Sequence, residues 1–458
     1  MEAVAHRKLS PNKLNELVVV GKDILELLSS AMYVDPLTIY REYIQNAADA
    51  IDEAESEGLY SKGLRPRIAI SVNSGDRTIK IADNGAGVPP NAFARRLTSL
   101  GASKKRRSSA RGFRGVGRLC GLAYCEQLVF RSKSETAPRV WEIRFDCQRL
   151  KELLGDSEFR GDVNDVMYEI VKFDTFDDPH ACRHFFEVEL RRVSRVSNNI
   201  LLNETAVRNY ISQVAPVPFR RGFSFAGIIT KHLAKYGVGK TYNVHLNNES
   251  TRIERPFTNS FAAKQTLRDK FSQFEAFEIP GLNGGIDAVG WILHHNYYGA
   301  LPQHLGIKGL RLRLGNMQIG SDNIFEAAFP EPRFNSWCVG EIHASSPRLV
   351  PNGRRDDLEQ NVHQQNLLNH VLQHAKRTAK LCRAKSSQRN KQKTRERASG
   401  TQSPEVEWLL SHKSFKKLTP PQQRVVGLFL TSVFRSSRRK AKAKRMILTI
   451  LPQLCSIV

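Results

Sequence analysis

The chain has 458 residues and a formal net charge of +25, with 70 Lys and Arg against 45 Asp and Glu. This length allows two to four domains with cores of their own, and the excess of positive charge favours an anionic partner. No run of about eighteen apolar residues and no apolar signal core is present, so we expect no membrane span and a cytoplasmic location.

Residues 35–51 predict a helix that has one polar edge. At about 100° per residue, Glu42, Asn46 and Asp49 fall within about 60° of one another. The opposite side is an apolar stripe, typical of a helix face that packs on a core. Its members are Leu37, Tyr40, Ile44, Ala47 and Ile51. Taken alone, the polar edge is also compatible with a solvated helix face.

Two predicted strands and a glycine loop follow this helix. Residues 67–73 and 77–82 alternate apolar and polar side chains across turn residues, which indicates an antiparallel pair. The second strand leads into Asp83, Gly85 and Gly87. An aspartate at a strand end can accept hydrogen bonds from an amino group, and glycines allow close approach of the backbone to a ligand. An ordinary Asx turn is the alternative interpretation.

The third motif is a basic and glycine-rich segment that leads into a predicted helix over residues 116–124. Backbone of this kind at the start of a helix suits an anion such as a phosphate. Its candidate residues are Ser103, Lys104, Gly112, Gly115 and Gly117. One glycine motif is weak support for a nucleotide site, whereas three in this order are strong support.

The three motifs together resemble those of the gyrase, heat-shock protein 90, histidine-kinase and MutL ATPases, which have the Bergerat ATP-binding fold. The resemblance implies an α+β protein whose N-terminal domain is an α/β sandwich with a mixed sheet and helices on one face. The matched residues are Glu42, Asn46 and Asp49 of the first motif, Asp83, Gly85 and Gly87 of the second, and Gly112, Gly115 and Gly117 of the lid.

The resemblance also implies roles for these residues in binding and hydrolysing ATP. Asn46 would ligate Mg²⁺, and Asp83 would accept the adenine amino group. The lid glycines, with Ser103 and Lys104, would surround the triphosphate. Glu42 would orient or deprotonate the attacking water, which makes the protein a slow ATPase. One departure is visible, because the strand at residues 184–190 lacks the family's Gly-Thr pair at the adenine end.

The second half of the chain resembles the heat-shock protein 90 branch. Residues 306–315 resemble a strand of its middle domain, which is of the ribosomal-S5-like α/β type. The loop at residues 349–358 resembles one that carries an arginine to the γ-phosphate, with Arg355 as that arginine and Asn352 as its loop partner. Arg354 is the alternative, and a salt-bridged surface turn is the simpler interpretation. An arginine from a second domain makes hydrolysis depend on domain closure.

The expected division is an ATP-binding domain at 1–195, a middle domain at 196–365, a basic linker at 366–404 and a small helical module at 405–458. Residues 384–404 combine low hydrophobicity with like charge, so we expect a disordered or weakly helical segment there. Polybasic segments bind nucleic acid or other polyanions by counterion release. A solubilising tail is the alternative.

Two classes of function remain, and they differ in the partner that the protein acts on. The first is an ATP-driven clamp of the chaperone type, which acts on client proteins and forms an ATP-dependent homodimer. The second is a nucleic-acid-associated ATPase of the mismatch-repair or gyrase kind, or an ATP-gated component of a multi-protein defence system. The middle-domain resemblance favours the first class, and the basic tail favours the second.

Overall fold

The computed structural model describes residues 21–22, 25, 35–60, 63–99, 117–178, 183–399, 416, 418–423 and 425. Within these ranges the strands form a seven-stranded sheet, a five-stranded sheet and a two-stranded ribbon. Contacts between residues divide the chain into two compact units, 1–379 and 380–458.

The seven-stranded sheet and its helices come from the first part of the chain. Its strands are β1 Ile68–Asn73, β2 Thr78–Asp83, β3 Gln127–Lys133, β4 Val140–Asp146, β5 Val171–Phe176, β6 Phe185–Arg191 and β7 Val244–Leu246. The α-helices around it are α1 Thr38–Ser56, α2 Pro90–Thr98, α3 Cys147–Gly155, α4 Val163–Ile170 and α5 Glu204–Val214, with a 3₁₀ helix at Gly117–Ala123.

The sheet order is β5-β4-β3-β6-β2-β1-β7. Strand β7 runs parallel to β1, while β1 and β2 are antiparallel with Ile68 opposite Asp83. The predicted strand pair and mixed sheet are therefore confirmed. The apolar stripe of α1 is buried in the core of this sheet, as the sequence periodicity predicts. The same core includes Tyr242 and Leu246, which lie beyond residue 195, and the domain boundaries themselves stay predictions.

The five-stranded sheet has the order β10-β11-β14-β12-β13, with β12 parallel to β14. The predicted strand at residues 306–315 is β12, and it begins at Gly309. The remaining elements are α6 Ala226–Ala234, β8 Ser260–Lys264, β9 Leu267–Lys270, β10 Gln273–Pro280, β11 Ile286–His294, β12 Gly309–Leu314, β13 Met317–Ile319, β14 Val339–Ala344 and α7 Val362–Ser399.

A buried carboxylate on β14 joins charged groups from the second sheet and from the segment that follows β7. Glu341 accepts hydrogen bonds from Arg255 Nη1 at 2.7 Å and from Arg313 Nε at 2.5 Å, and His343 Nε2 lies 3.1 Å from it. Burial raises the pKa of Glu341, but the two guanidinium groups outweigh burial and hold it well below its ordinary value. Arg313 also donates to the carbonyl of Gln213 on α5 at 2.6 Å. The cluster therefore connects the second sheet to a helix of the first.

A second connection runs from the same cluster to α1. Asn316 accepts a hydrogen bond from Arg255 and donates to the carbonyl of Lys240 at 2.8 Å. The ammonium group of Lys240 pairs with Asp52 and Glu55, which lie on α1. Hydrogen bonds thus lead from the β12–β13 turn to the helix that carries the first motif.

Helix α7 differs from the expectation for the basic segment. Residues 384–399 continue the helix that begins at Val362, whereas the sequence predicted a disordered or weakly helical linker. Residues 400–404 and nearly all of the predicted module at 405–458 lie outside the described residues. In the part of the chain that the structure describes, no helix is long and apolar enough to span a bilayer.

Replacing Glu341 by alanine should strongly destabilise the protein, because two buried guanidinium groups lose their shared counterion. We expect a loss of about 3–5 kcal/mol in the free energy of unfolding, measured by chemical denaturation. The exposed Glu158 provides the control, since Glu158→Ala should change stability by less than about 0.5 kcal/mol. Equal effects of the two substitutions would contradict this account.

Candidate active site

The polar edge of α1 is buried rather than solvated. Glu42 is 2% exposed and Asp49 is 6% exposed. Asn46, one turn after Glu42, is half-buried. The simpler interpretation of a solvated helix face is therefore wrong. Burying a carboxylate costs free energy unless it has partners, so the partners of Glu42 define the site.

Both oxygens of the Glu42 carboxylate lie against specific neighbours. Arg41 Nη2 lies 3.3 Å from Oε1, and Arg355 Nη1 lies 3.5 Å from the same oxygen. The other oxygen, Oε2, faces Gly117, where an added Cβ would lie only 2.2 Å away. Gly117 therefore has to be glycine for the carboxylate to keep its place. The sequence assigned this glycine to the phosphates, and the structure places it against Glu42.

Arg355 projects from a tightly bonded loop that follows the second sheet. Asn352 organises this loop, because its side chain donates to Asp356 Oδ1 at 2.6 Å and its carbonyl accepts from Arg355 N at 3.2 Å. Arg355 itself has a φ of 57°, which is uncommon for a residue with a side chain. The carbonyl of Arg355 accepts from Gly320 at 3.0 Å. The loop is thus bonded to the residue that follows β13.

Two side chains of α1 hold this loop against the helix. Arg41 donates to the carbonyls of Arg354 and Arg355 at 3.3 and 3.4 Å. Gln45 accepts a hydrogen bond from the Arg355 guanidinium. The side chain of Arg355 lies on Glu42, whereas Arg354 contacts α1 through its backbone. The sequence did not predict the roles of Arg41 and Gln45, because they lie between motif positions and their partners are some three hundred residues away.

The second motif packs directly on the end of the first. An added Cβ on Gly85 would lie 2.5 Å from the backbone of Ala50, and Ala86 N donates to the Ala50 carbonyl at 3.0 Å. Gly87 has a φ of +69°, and a Cβ there would lie 2.2 Å from the Lys133 carbonyl oxygen. Both glycines are required for this close packing. The loop thereby brings Asp83, at the end of β2, beside α1.

Asp83 is buried and has a perturbed pKa. Burial raises the pKa of this carboxyl from 3.8 to about 8, although the Gly85 N–H bond at 2.9 Å and the charge of Arg96 lower it. The pKa of nearby Tyr60 is also raised, mainly by burial and further by Asp83. A strongly perturbed carboxyl beside a glycine loop is a physical indicator of a functional site.

His184 stands at the start of β6, where the sequence lacks the expected Gly-Thr pair. Its Nδ1 lies 2.7 Å from the carbonyl of Gly85, so Nδ1 carries the hydrogen and donates it. Its Nε2 lies 3.9 Å from Glu135, and the Tyr60 ring contacts the imidazole edge-on at 5.9 Å. An imidazole that anchors the glycine loop therefore occupies this end of the site.

A further cation at the end of the third motif donates a hydrogen bond to the carbonyl of Ser99. Arg118 directly follows Gly117, and its carbonyl accepts a hydrogen bond from Tyr43 at 3.1 Å. Burial, and secondarily the charge of Arg96, lowers the pKa of Arg118 to about 10. A guanidinium that is partly removed from water interacts favourably with an anion, so Arg118 adds positive charge where the third motif predicted an anion. Ser103, Lys104, Gly112 and Gly115 lie outside the described residues.

Comparisons with known proteins show what the part of the chain that carries this site is similar to. Residues 38–153 match the model of the histidine kinase-, DNA gyrase B- and HSP90-like ATPases. The chaperone protein HtpG of Helicobacter hepaticus is 30% identical over 127 residues, which is 24% of this chain and 21% of that protein. HtpG of Polaromonas naphthalenivorans is 25% identical over 139 residues, or 27% of this chain and 22% of that protein.

Residues 38–153, about a quarter of the chain, are thus similar to this group of ATPases. The resemblance found in the sequence is confirmed at this level. The matched stretch covers about a fifth of the length of these relatives. The matched stretch includes α1, the Asp83 loop and Gly117, but Arg355 and its loop lie far outside it.

The raised pKa of Asp83 predicts a stability that falls as pH rises. The folded protein holds the Asp83 proton more tightly than the unfolded chain does. Stability from this group is therefore full below about pH 4 and declines by about 1.4 kcal/mol per pH unit up to about pH 8. Asp83→Asn should remove this decline, as measured by denaturant unfolding across that range.

The control for this experiment is Asp177→Asn, since the Asp177 side chain is 93% exposed. This substitution should leave the pH dependence of the wild-type protein unchanged. A decline that persists in Asp83→Asn would assign the proton uptake to another group.

Proposed function

We propose that the protein binds Mg-ATP at the edge of α1 and hydrolyses it slowly, with domain closure controlling turnover. The observation that carries this proposal is the ion pair between Arg355 and Glu42, which joins a loop after the second sheet to the first motif of the ATPase domain. The membership of residues 38–153 in an ATPase family supports the use of ATP.

The donors along α1 fit a hard divalent cation. The side-chain amide oxygen of the half-buried Asn46 is a ligand that Mg²⁺ accepts, together with phosphate oxygens and water. Bound there, Mg²⁺ supplies charge neutralisation for the phosphates. At the other end, Asp83 accepts the adenine amino group and His184 holds the glycine loop beside it.

Glu42 is the proposed general base, and Arg355 is the proposed transition-state cation. Glu42 orients the attacking water and takes its proton, since a carboxylate one turn before Asn46 faces the same edge of the helix. Arg355 stabilises the negative charge on the transferred phosphoryl group. Because Arg355 contacts Glu42, its loop has to stay on α1 while the guanidinium moves toward the phosphates. Arg41 and Gln45 provide the contacts that keep the loop there.

The wider function follows by analogy with relatives that are named chaperones. We propose an ATP-driven clamp that acts on client proteins, with lid and domain closure and an ATP-dependent homodimer. The cytoplasmic location stays a prediction. The basic part of α7 favours a nucleic-acid partner as the second candidate, in a repair-like, gyrase-like or defence system.

Replacing Glu42 by alanine should abolish turnover while nucleotide binding persists. We expect kcat to fall by about 10² to 10⁴, the usual contribution of a general base, in a steady-state phosphate-release assay. The affinity for a non-hydrolysable ATP analogue should change by less than about threefold. The control is Glu53→Ala, an exposed residue on the same helix, which should retain turnover. Normal turnover in Glu42→Ala would remove Glu42 from the mechanism.

Arg355→Ala and Arg354→Ala form a matched pair that tests the position of the arginine. Arg355→Ala should lower kcat by about 10² to 10³, the cost of losing one donor to a transition-state charge, with unchanged affinity for the analogue. Arg354→Ala should have little effect, since only its carbonyl contacts α1. The reverse outcome would assign the catalytic role to Arg354.

A further inference from the structure

The part of α7 that belongs to the second compact unit is a cationic helix. No aspartate or glutamate occurs between Glu359 and Glu396. Over residues 380–394 the helix carries six cationic side chains. They are Lys380, Arg383, Lys385, Arg389, Lys391 and Lys393, of which Arg389 is half-buried and the others are exposed. The proposed ATP site does not explain why a segment of this length carries only positive charge.

The charges lie on all sides of the helix rather than along one stripe. At about 100° per residue, Lys380 and Lys391 share one direction, and Lys385 and Lys393 point to the far side of the helix. Arg383 points between these two directions. Arg383 and Arg389 have interactions within the protein, and the lysines of the segment add like charges that disfavour a helix. An anionic partner that relieves this repulsion therefore stabilises the helix on binding.

The side chains of this segment restrict the chemistry of that partner. The apolar side chains of residues 380–394 are Leu381, Cys382 and Ala384, of which Cys382 is buried, so the helix exposes too small an apolar face to insert into a lipid surface. It contains no aromatic residue on which unpaired bases could stack. Charges on all sides suit a groove with phosphates along both walls better than a flat surface.

The major groove of B-form DNA has those dimensions. It is about 12 Å wide and admits one α-helix, whereas the major groove of A-form RNA is too narrow for side chains to read. Residues 380–393 span about 20 Å of helix, and duplex DNA carries one charge per roughly 1.7 Å. We propose that residues 380–394 bind duplex DNA in the major groove through phosphate contacts, without sequence preference. This inference does not depend on ATP hydrolysis.

The test is the binding of the full-length chain to a fluorescent DNA duplex of arbitrary sequence, measured by anisotropy over a range of salt and without nucleotide. For the four lysines alone the logarithm of affinity should fall with the logarithm of salt with a slope of about −3.6, or roughly a hundredfold between 50 and 200 mM. Replacing Lys380, Lys385, Lys391 and Lys393 together by glutamine should make the slope less steep by about that amount. Glutamine keeps a good helix propensity.

The matched control removes the same charge elsewhere. Lys172, Lys231, Lys264 and Lys270 are exposed and lie in the first compact unit, and their joint replacement by glutamine should leave affinity and slope unchanged. An equal loss in both variants would assign the binding to net charge. Tighter binding to duplex RNA, single-stranded DNA or anionic vesicles than to duplex DNA would also overturn the proposal.

Discussion

The geometry of the site depends on a single buried carboxylate far from it. Glu341 lies between Arg255 and Arg313, and removing it leaves two buried guanidinium groups without their shared counterion. Arg313 belongs to β12, whose neighbour β13 ends one residue before Gly320, the donor to the Arg355 carbonyl. The loop of Arg355 is therefore bonded to a strand pair that the charge cluster holds in position.

The other end of the cluster reaches the helix that Arg355 must meet. Asn316 and Lys240 continue the hydrogen bonds to Asp52 and Glu55, about three turns of α1 after Glu42. The same helix contacts the Arg355 loop near Glu42 and the second sheet, through Lys240, near its end. Two attachments along one helix define an orientation as well as a distance. Buried charge pairs contribute such specificity even where their net contribution to stability is small.

The site itself contains groups whose burial is unfavourable. Asp83 is held at a pKa of about 8 and Arg118 at about 10, each because burial disfavours its charged form. Keeping such groups buried lowers the stability of the fold, and natural proteins commonly accept this loss of stability at functional sites. The apolar stripe of α1, buried throughout, provides the compensating stabilisation on the opposite side of the same helix.

Local features of the fold were predictable from the sequence, and long-range ones were not. Helix α1 and the β1–β2 pair follow from periodicity over a few residues. Arg41, Gln45 and Glu341 contact residues that come close only in the folded chain. No local sequence pattern therefore predicts these contacts. The basic part of α7 was predicted as a linker because its like charges oppose a helix. The buried Leu367 and Val371 nucleate that helix, and extending a formed helix costs little.

The contacts of α1 extend beyond residues 38–153, the stretch that resembles the ATPases. Arg41 and Gln45 are buried; Arg41 donates hydrogen bonds to the loop of Arg355, and Gln45 accepts one from it. Buried polar groups without partners are costly, so α1 is built to be covered by that loop. In the proposed mechanism Glu42 acts as a base when the phosphates compete for Arg355. The proposed hydrolysis is thereby linked, through one ion pair, to the loop that follows the second sheet.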